Sequence, residues 1–261
     1  MSINSTKSLA LFISNNSITY LTKTQQNDDV FYSDMVTFKI PDLDGNATYD
    51  QLEKEFKSRL ALLLYYNQIS VCLLSTPVAV IPNTYFSEEL NAFIESASTK
   101  VNPKSIPLEN LDAQLVYNYY PQLEQLLSNL SNFNNYTITH TGSFIIQQNE
   151  LNQEKDQVFL QLIDQKLELC IYKKGNFAFY NVFNILSSTD VLYYTLNVMN
   201  QLELDQIATD VHIQGGIAKE DEAANELIKY IRNVSFDHED ETPSLKQLLY
   251  KIFECELYQD H

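Results

Sequence analysis

Tryptophan is absent from this 261-residue chain, glycine occurs only five times, and only two of the basic residues are arginines, Arg59 and Arg232. The scarcity of glycine excludes most, because a backbone that wraps a phosphate needs residues without a β-carbon at the points of closest approach. The sole adjacent pair is Gly215-Gly216, and neither a G-x-x-x-x-G-K-[ST] loop nor a G-x-G-x-x-G turn occurs. Seventeen basic side chains stand against 34 acidic ones, a formal net charge of −17. A field of that sign repels nucleic-acid backbones and anionic lipid headgroups, which leaves a basic protein as the easier partner. Cysteine is limited to Cys72, Cys170 and Cys255, with no C-x-x-C pair and no histidine at ligand spacing. That pattern reads as buried thiols in a reducing compartment, not a disulfide framework or a metal site. His140, His212, His238 and His261 are scattered and form no H-E-x-x-H or triad spacing. No stretch reaches the roughly 20 apolar residues of a membrane span. The run Leu9 to Ile13 is too short for a secretory h-region, so the expectation is a cytoplasmic protein without membrane insertion.

What is present is 44% hydrophobic residues in an ordered succession of short apolar runs. Leu9 to Ile13 and Ile18 to Thr22 predict a hairpin around Ser14-Asn15-Asn16-Ser17, and Met35 to Ile40 a third strand stopped by Pro41. Tyr49, Leu52, Phe56, Leu60 and Leu63 recur at helical spacing behind Thr48, a predicted N-cap, and the helix is expected to end near Tyr66. Ile69 to Leu74 is a continuous apolar strand. Prolines at 77, 82, 103, 107 and 121 break up the next stretch, and residues from about 75 to 120 read as an insertion holding a short helix from Ser87 to about Ala97. A helix through Leu123 to Leu130, a strand at Tyr136 to His140 and a helix from about Gly142 follow.

After the polar segment Asn149 to Asp156 the same grammar restarts. Val158 to Ile163 and Leu167 to Tyr172 predict a hairpin around Asp164-Gln165-Lys166, and Phe177 to Ile185 a third strand. A helix over Asp190 to Leu204, a strand at Val211 to Gln214, a helix over Asp221 to Arg232, a strand at Val234 to Phe236 and a helix over Ser244 to Leu257 complete the copy. The expected architecture is therefore α/β, with two βββαβαβα lobes, 1–152 and 153–261. Each lobe is a mixed sheet flanked by helices, a ribonuclease H-like unit used twice. Such a duplicated unit resembles the actin, hexokinase and chaperone-ATPase superfamily.

In that superfamily two hairpin turns face each other across the interlobe cleft, their glycines close on phosphates and their aspartates hold a hydrated metal ion. Here the first turn, Ser14 to Ser17, offers neither carboxylate nor glycine. The second keeps Asp164 but lacks the adjacent glycine, and Asp164 reads more readily as a turn residue bonding its own backbone than as a metal ligand. The strand running through Ile213 into Gly215-Gly216 stands where the superfamily packs backbone against adenosine, although a strand-to-helix turn wants glycine on steric grounds too. Gly215, Gly216, Asp164 and Lys166 are the candidate nucleotide-binding residues.

Phe179-Tyr180-Asn181-Val182-Phe183, then Asp190 to Leu196, then Gln201-Leu202-Glu203-Leu204-Asp205 resemble an uncharacterised Bacteroidetes domain family placed in the actin-like ATPase superfamily. Its pattern is roughly Y-N-x-F, D-x-x-Y-Y-x-L and Q-L-x-L-D. The resemblance implies an architecture similar to PilM and FtsA, which act chiefly by recruiting partners, and it supplies no catalytic residue. Asn181, Phe183, Asp190, Tyr193 and Tyr194 are the motif positions, read as structural. Asp190 suits the first turn of its helix, and Tyr193, with Leu196, is placed on a core-packing face. The expectation is a non-catalytic binding or scaffold protein without a cofactor, in which a homodimer is plausible. The alternative is an ATP- or ADP-binding protein with a non-standard cleft and Mg²⁺.

Overall fold

Leu9-Ala10-Leu11-Phe12-Ile13 presents apolar groups to both faces of one strand, which demands cover on both sides. The computed structural model describes residues 5–27, 29–43, 47–59, 66–74, 77–87, 102–130, 136–147, 151–214, 217–236 and 244–254. In chain order its first part contains β1 (Ser5–Ile13), β2 (Ser17–Gln26), β3 (Asp29–Tyr32), β4 (Val36–Lys39), α1 (Tyr49–Arg59) and β5 (Gln68–Leu73). Then come β6 (Val78–Pro82), β7 (Asn102–Leu108), β8 (Ala113–Tyr119), α2 (Pro121–Leu130), β9 (Tyr136–His140) and α3 (Thr141–Ile146). The second part has β10 (Gln157–Ile163), β11 (Lys166–Lys173), β12 (Asn176–Asn184), α4 (Ser188–Gln201), β13 (Asp210–Ile213), α5 (Glu222–Tyr230), β14 (Asn233–Phe236) and α6 (Ser244–Glu254).

The two parts repeat one sheet. The first runs β3-β2-β1-β5-β9, with β4 also on β2, and the second runs β12-β11-β10-β13-β14. With β3 and β4 taken together as the third strand and the separate β6-β8-β7 sheet set aside, both orders are third, second, first, fourth, fifth. The first two strands are antiparallel in each, and the fourth lies parallel beside the first. On β1, Leu9, Leu11 and Ile13 face Leu52 and Phe56 of α1 and Leu123, Leu126 and Leu127 of α2. Ala10 and Phe12 join a different core, shared with Phe159, Cys170 and Tyr172 of the second sheet and with α3 and α6. The outer face of the second sheet is covered by α4 and α5 through Val191, Val198, Met199, Ala224 and Leu227. Burying Phe12 on its own removes a side chain from water at a gain of about 1.5–3 kcal/mol, and the shared core repeats that across both sheets.

Local chemistry sets the element ends. Thr48 Oγ1 accepts from Gln51 N at 3.4 Å while Gln51 Oε1 accepts from Thr48 N at 3.0 Å, a reciprocal cap on α1. The expected extension of this helix to Tyr66 falls on residues 60–65, outside the described residues, as does the helix expected over Ser87 to Ala97 beyond residue 87. The third strand expected at Met35 to Ile40 is β4, and a further strand, β3, precedes it, both paired to β2. The stretch read as an insertion holds a three-stranded antiparallel sheet, β6-β8-β7. Pro82, Pro103 and Pro107 lie on the two edge strands, where a missing N–H is tolerated, and the central β8 has none. The last helix, α6, packs on β1, β2 and β5 of the first sheet. Among the described residues no helix is long and apolar enough to cross a membrane.

Candidate functional site

The two hairpin turns meet. At the first, Ser14 N donates to Ser17 O at 3.0 Å, and the turn is held from behind by Leu43 N on Asn15 O (2.7 Å), Ile40 N on Asn16 O (2.9 Å) and the Tyr120 hydroxyl on Asn15 Oδ1 (3.2 Å). At the second, Asp164 (φ 47°) and Gln165 (φ 62°) both adopt the left-handed region, a two-residue turn of the type that matches strand twist. Ile185 N donates to Gln165 O at 2.7 Å and anchors it to the end of β12. Across the gap between the turns, the hydroxyls of Ser14 and Ser17 donate to one carboxylate oxygen, Asp164 Oδ2, at 2.7 and 2.8 Å. The two hydroxyls also lie 2.7 Å apart, which closes a triangle of oxygens. Two hydroxyl protons serve two of the three edges at any moment. Both serines are buried and Asp164 is exposed, so each bond is worth about 1 kcal/mol instead of the upper end for a charged acceptor.

A second tie lies deeper. Glu168, on β11, is fully buried. Its Oε1 accepts from the Tyr180 hydroxyl at 2.6 Å and from Thr141 Oγ1 at 2.7 Å, joining the second sheet to the first residue of α3. Oε2 is buried and has no hydrogen-bond partner among the described residues. Burial pushes the carboxyl up to about 7, against the lowering effect of the two hydroxyls. The same burial, together with the neighbouring Glu168, raises the Tyr180 hydroxyl well above its ordinary value. A β-carbon on Gly142 would stand 2.5 Å from the Tyr180 oxygen, so glycine is required there by close approach. His140 Nδ1 accepts from Gly142 N at 2.9 Å and fixes the start of α3. Glu168 was not singled out from the sequence, although an acid inside the apolar run Leu167 to Tyr172 is the signal that marks it.

Of the candidate nucleotide residues, Asp164 and Lys166 lie at the second turn. Lys166 opens β11 directly after the turn and is buried. Gly215 and Gly216 lie outside the described residues, between the buried Ile213 and Ile217. Among the described residues no group of three or more His, Cys, Asp or Glu is arranged to hold a metal ion.

The motif positions gather at another corner, on the outer side of the second sheet. Asn181 Oδ1 accepts from the N–H of Val182 at 2.8 Å, satisfying a donor on the edge strand β12. Phe183 stacks on Tyr194 with ring centroids 4.4 Å apart and lies 6.4 Å from Phe179. Asp190 Oδ2 accepts from Leu186 N at 2.8 Å and Ser187 N at 2.9 Å, a capping box with Ser187 that holds its carboxyl below the usual range. Tyr193 departs from the expected core-packing face: it is 59% exposed and touches Tyr194 edge-on. The buried stripe of α4 runs instead through Val191, Thr195, Val198 and Met199.

Set beside known proteins, residues 1–234 match the family described as "Protein of unknown function (DUF3822)". No curated protein matches the sequence. A Bacteroides thetaiotaomicron protein with an actin-like ATPase fold and unknown function is similar, at 16% identity and a TM-score of 0.74 over 94% of this chain and 95% of that one. A chain of a PilM–PilN type IV pilus biogenesis complex is similar at 12% identity and a TM-score of 0.52, over 88% of this chain and 87% of that one. The fold is thus actin-like, as the repeated sheet order indicates.

Proposed function

The chain belongs to the DUF3822 family of unknown function, and from that premise we propose that it is a non-catalytic actin-like body that works by binding another protein, its hairpin turns bonded to each other and not to a phosphate chain. The observation that carries this reading is the pair of bonds from Ser14 and Ser17 to Asp164 Oδ2. A nucleotide seated between the turns needs them apart by the width of a phosphate, with the carboxylate turned to a hydrated cation. Here that oxygen is engaged by two hydroxyls whose own turn is clamped from behind.

PilM, similar in fold, is found in a complex with PilN, a precedent for such a body acting through a partner. The net charge of −17 favours a partner with a basic surface. Two buried free thiols, Cys72 and Cys170, suit a reducing cytoplasm. Thermal-shift titration with ATP, ADP and Mg²⁺ tests the first half of the proposal. The expected result is no shift up to millimolar nucleotide. A saturable rise overturns it, since a ligand at 100 times its Kd adds about 2.7 kcal/mol to the folded state. Cross-linking in the native cell tests the second half, and recovery of no reproducible partner removes it.

A further inference from the structure

We infer that Glu168 is a proton-operated tie between the two sheets: neutral, it stays sealed in the shared core and holds Thr141 to Tyr180, and ionised, it admits water and loosens that seam. The geometry supplies both states. Oε1 is saturated by two hydroxyls, one from each side of the seam. Oε2 is buried with no hydrogen-bond partner among the described residues. A neutral carboxyl forgoes one ordinary hydrogen bond there, whereas a carboxylate forgoes its hydration, a far larger loss. The first can persist in the closed core; the second pulls toward water.

Titratable groups stand around it on both sides of the seam. On its own strand are Lys166, Cys170 and Tyr172, and on β12 is Tyr180. The facing side contributes Cys72 of β5, Tyr117 of β8 and His140 at the start of α3. The Tyr180 hydroxyl and the Cys170 thiol are both pushed up by burial, so they stay neutral across the physiological range. His140 uses Nδ1 as an acceptor, the role of a neutral ring.

The sign follows from linkage. The acid is raised from 4.5 to about 7 in the closed seam, so closure binds a proton that the hydrated seam does not. The closed form has its full advantage below pH 4.5, loses it as pH rises through about 7, and changes no further above that. The whole span is worth up to about 300-fold in the ratio of closed to open seam.

Amide exchange on the full chain, corrected for the intrinsic pH dependence of exchange, reads this ratio over residues 136–147 and 166–182. The expected result is protection that falls between pH 5.5 and pH 8.5 in the native protein and stays level in Glu168→Gln, which keeps the shape but cannot ionise. Level protection in the native protein, or a pH dependence surviving in Glu168→Gln, overturns the inference. If Glu168→Gln does not fold, Tyr180→Phe decides. It removes a donor that favours the ionised form, so the midpoint must move to higher pH, and an unmoved midpoint overturns the inference equally.

Discussion

Replacing Asp164 by Ala, alone and together with Ser14→Ala and Ser17→Ala, measures whether the contact between the hairpin turns holds the two sheets together or merely accompanies their packing. The carboxylate oxygen accepts two hydroxyl bonds at 2.7 and 2.8 Å. With the acceptor exposed and the donors buried, each is worth about 1 kcal/mol. Asp164→Ala does not strand its donors fully, because the Ser14 and Ser17 hydroxyls lie 2.7 Å apart and can bond each other. The expected loss is therefore about 1–2 kcal/mol. Removing both serine hydroxyls leaves the carboxylate free to take up water, at a similar cost. The triple variant should cost little more than either, because all three changes delete one interaction. Denaturant unfolding of the four proteins gives a coupling energy, expected at about 1–2 kcal/mol for groups in direct contact. Effects that add within about 0.5 kcal/mol would refute the contact as a shared tie, and with it the central support for the proposed function.

Gly142→Ala places a methyl 2.5 Å from the Tyr180 oxygen, so it should destabilise the chain by about 1–3 kcal/mol and expose the Tyr180 ring, read by denaturant unfolding and tyrosine absorbance; unchanged values would show the seam to be soft. Ser187→Ala removes half of the capping box on α4 and should cost about 1 kcal/mol, with faster amide exchange confined to the first turn of that helix.

Much of the fold was legible because its signals are local. The strand expected at Tyr136 to His140 is β9, and both first hairpins fall where two β-rich runs flank a short polar turn. β3 escaped notice because its apolar run is only Val30-Phe31-Tyr32, bracketed by Asn27-Asp28-Asp29 and Ser33-Asp34, which read as one loop. β7 was hidden by Pro103 and Pro107, which argue against a strand unless it is known to be an edge. Tyr193 was misplaced because Thr195 looks polar. Its hydroxyl bonds back to Val191 O at 2.7 Å, so the residue buries as though apolar and rotates the core stripe away from the tyrosine. The site was legible only in halves. The turn serines and Asp164 lie about 150 residues apart, and Glu168 finds its partners 27 and 12 residues away, so nothing in a local window announces either tie.

The placement of α6 has a consequence for how the protein is made. Leu248, Leu249, Ile252 and Phe253 fill the core beneath the first strands of the chain, and more than 230 residues separate β1 from the helix that covers its inner face. A ribosome that has released β1, β2 and β5 has therefore delivered a sheet whose apolar underside lacks its covering helix until residues 244–254 emerge. At ordinary synthesis rates of about 5–20 residues per second, that underside waits on the order of ten seconds or more. Over that interval the nascent chain carries apolar surface whose own covering helix lies more than 230 residues downstream of the first strand.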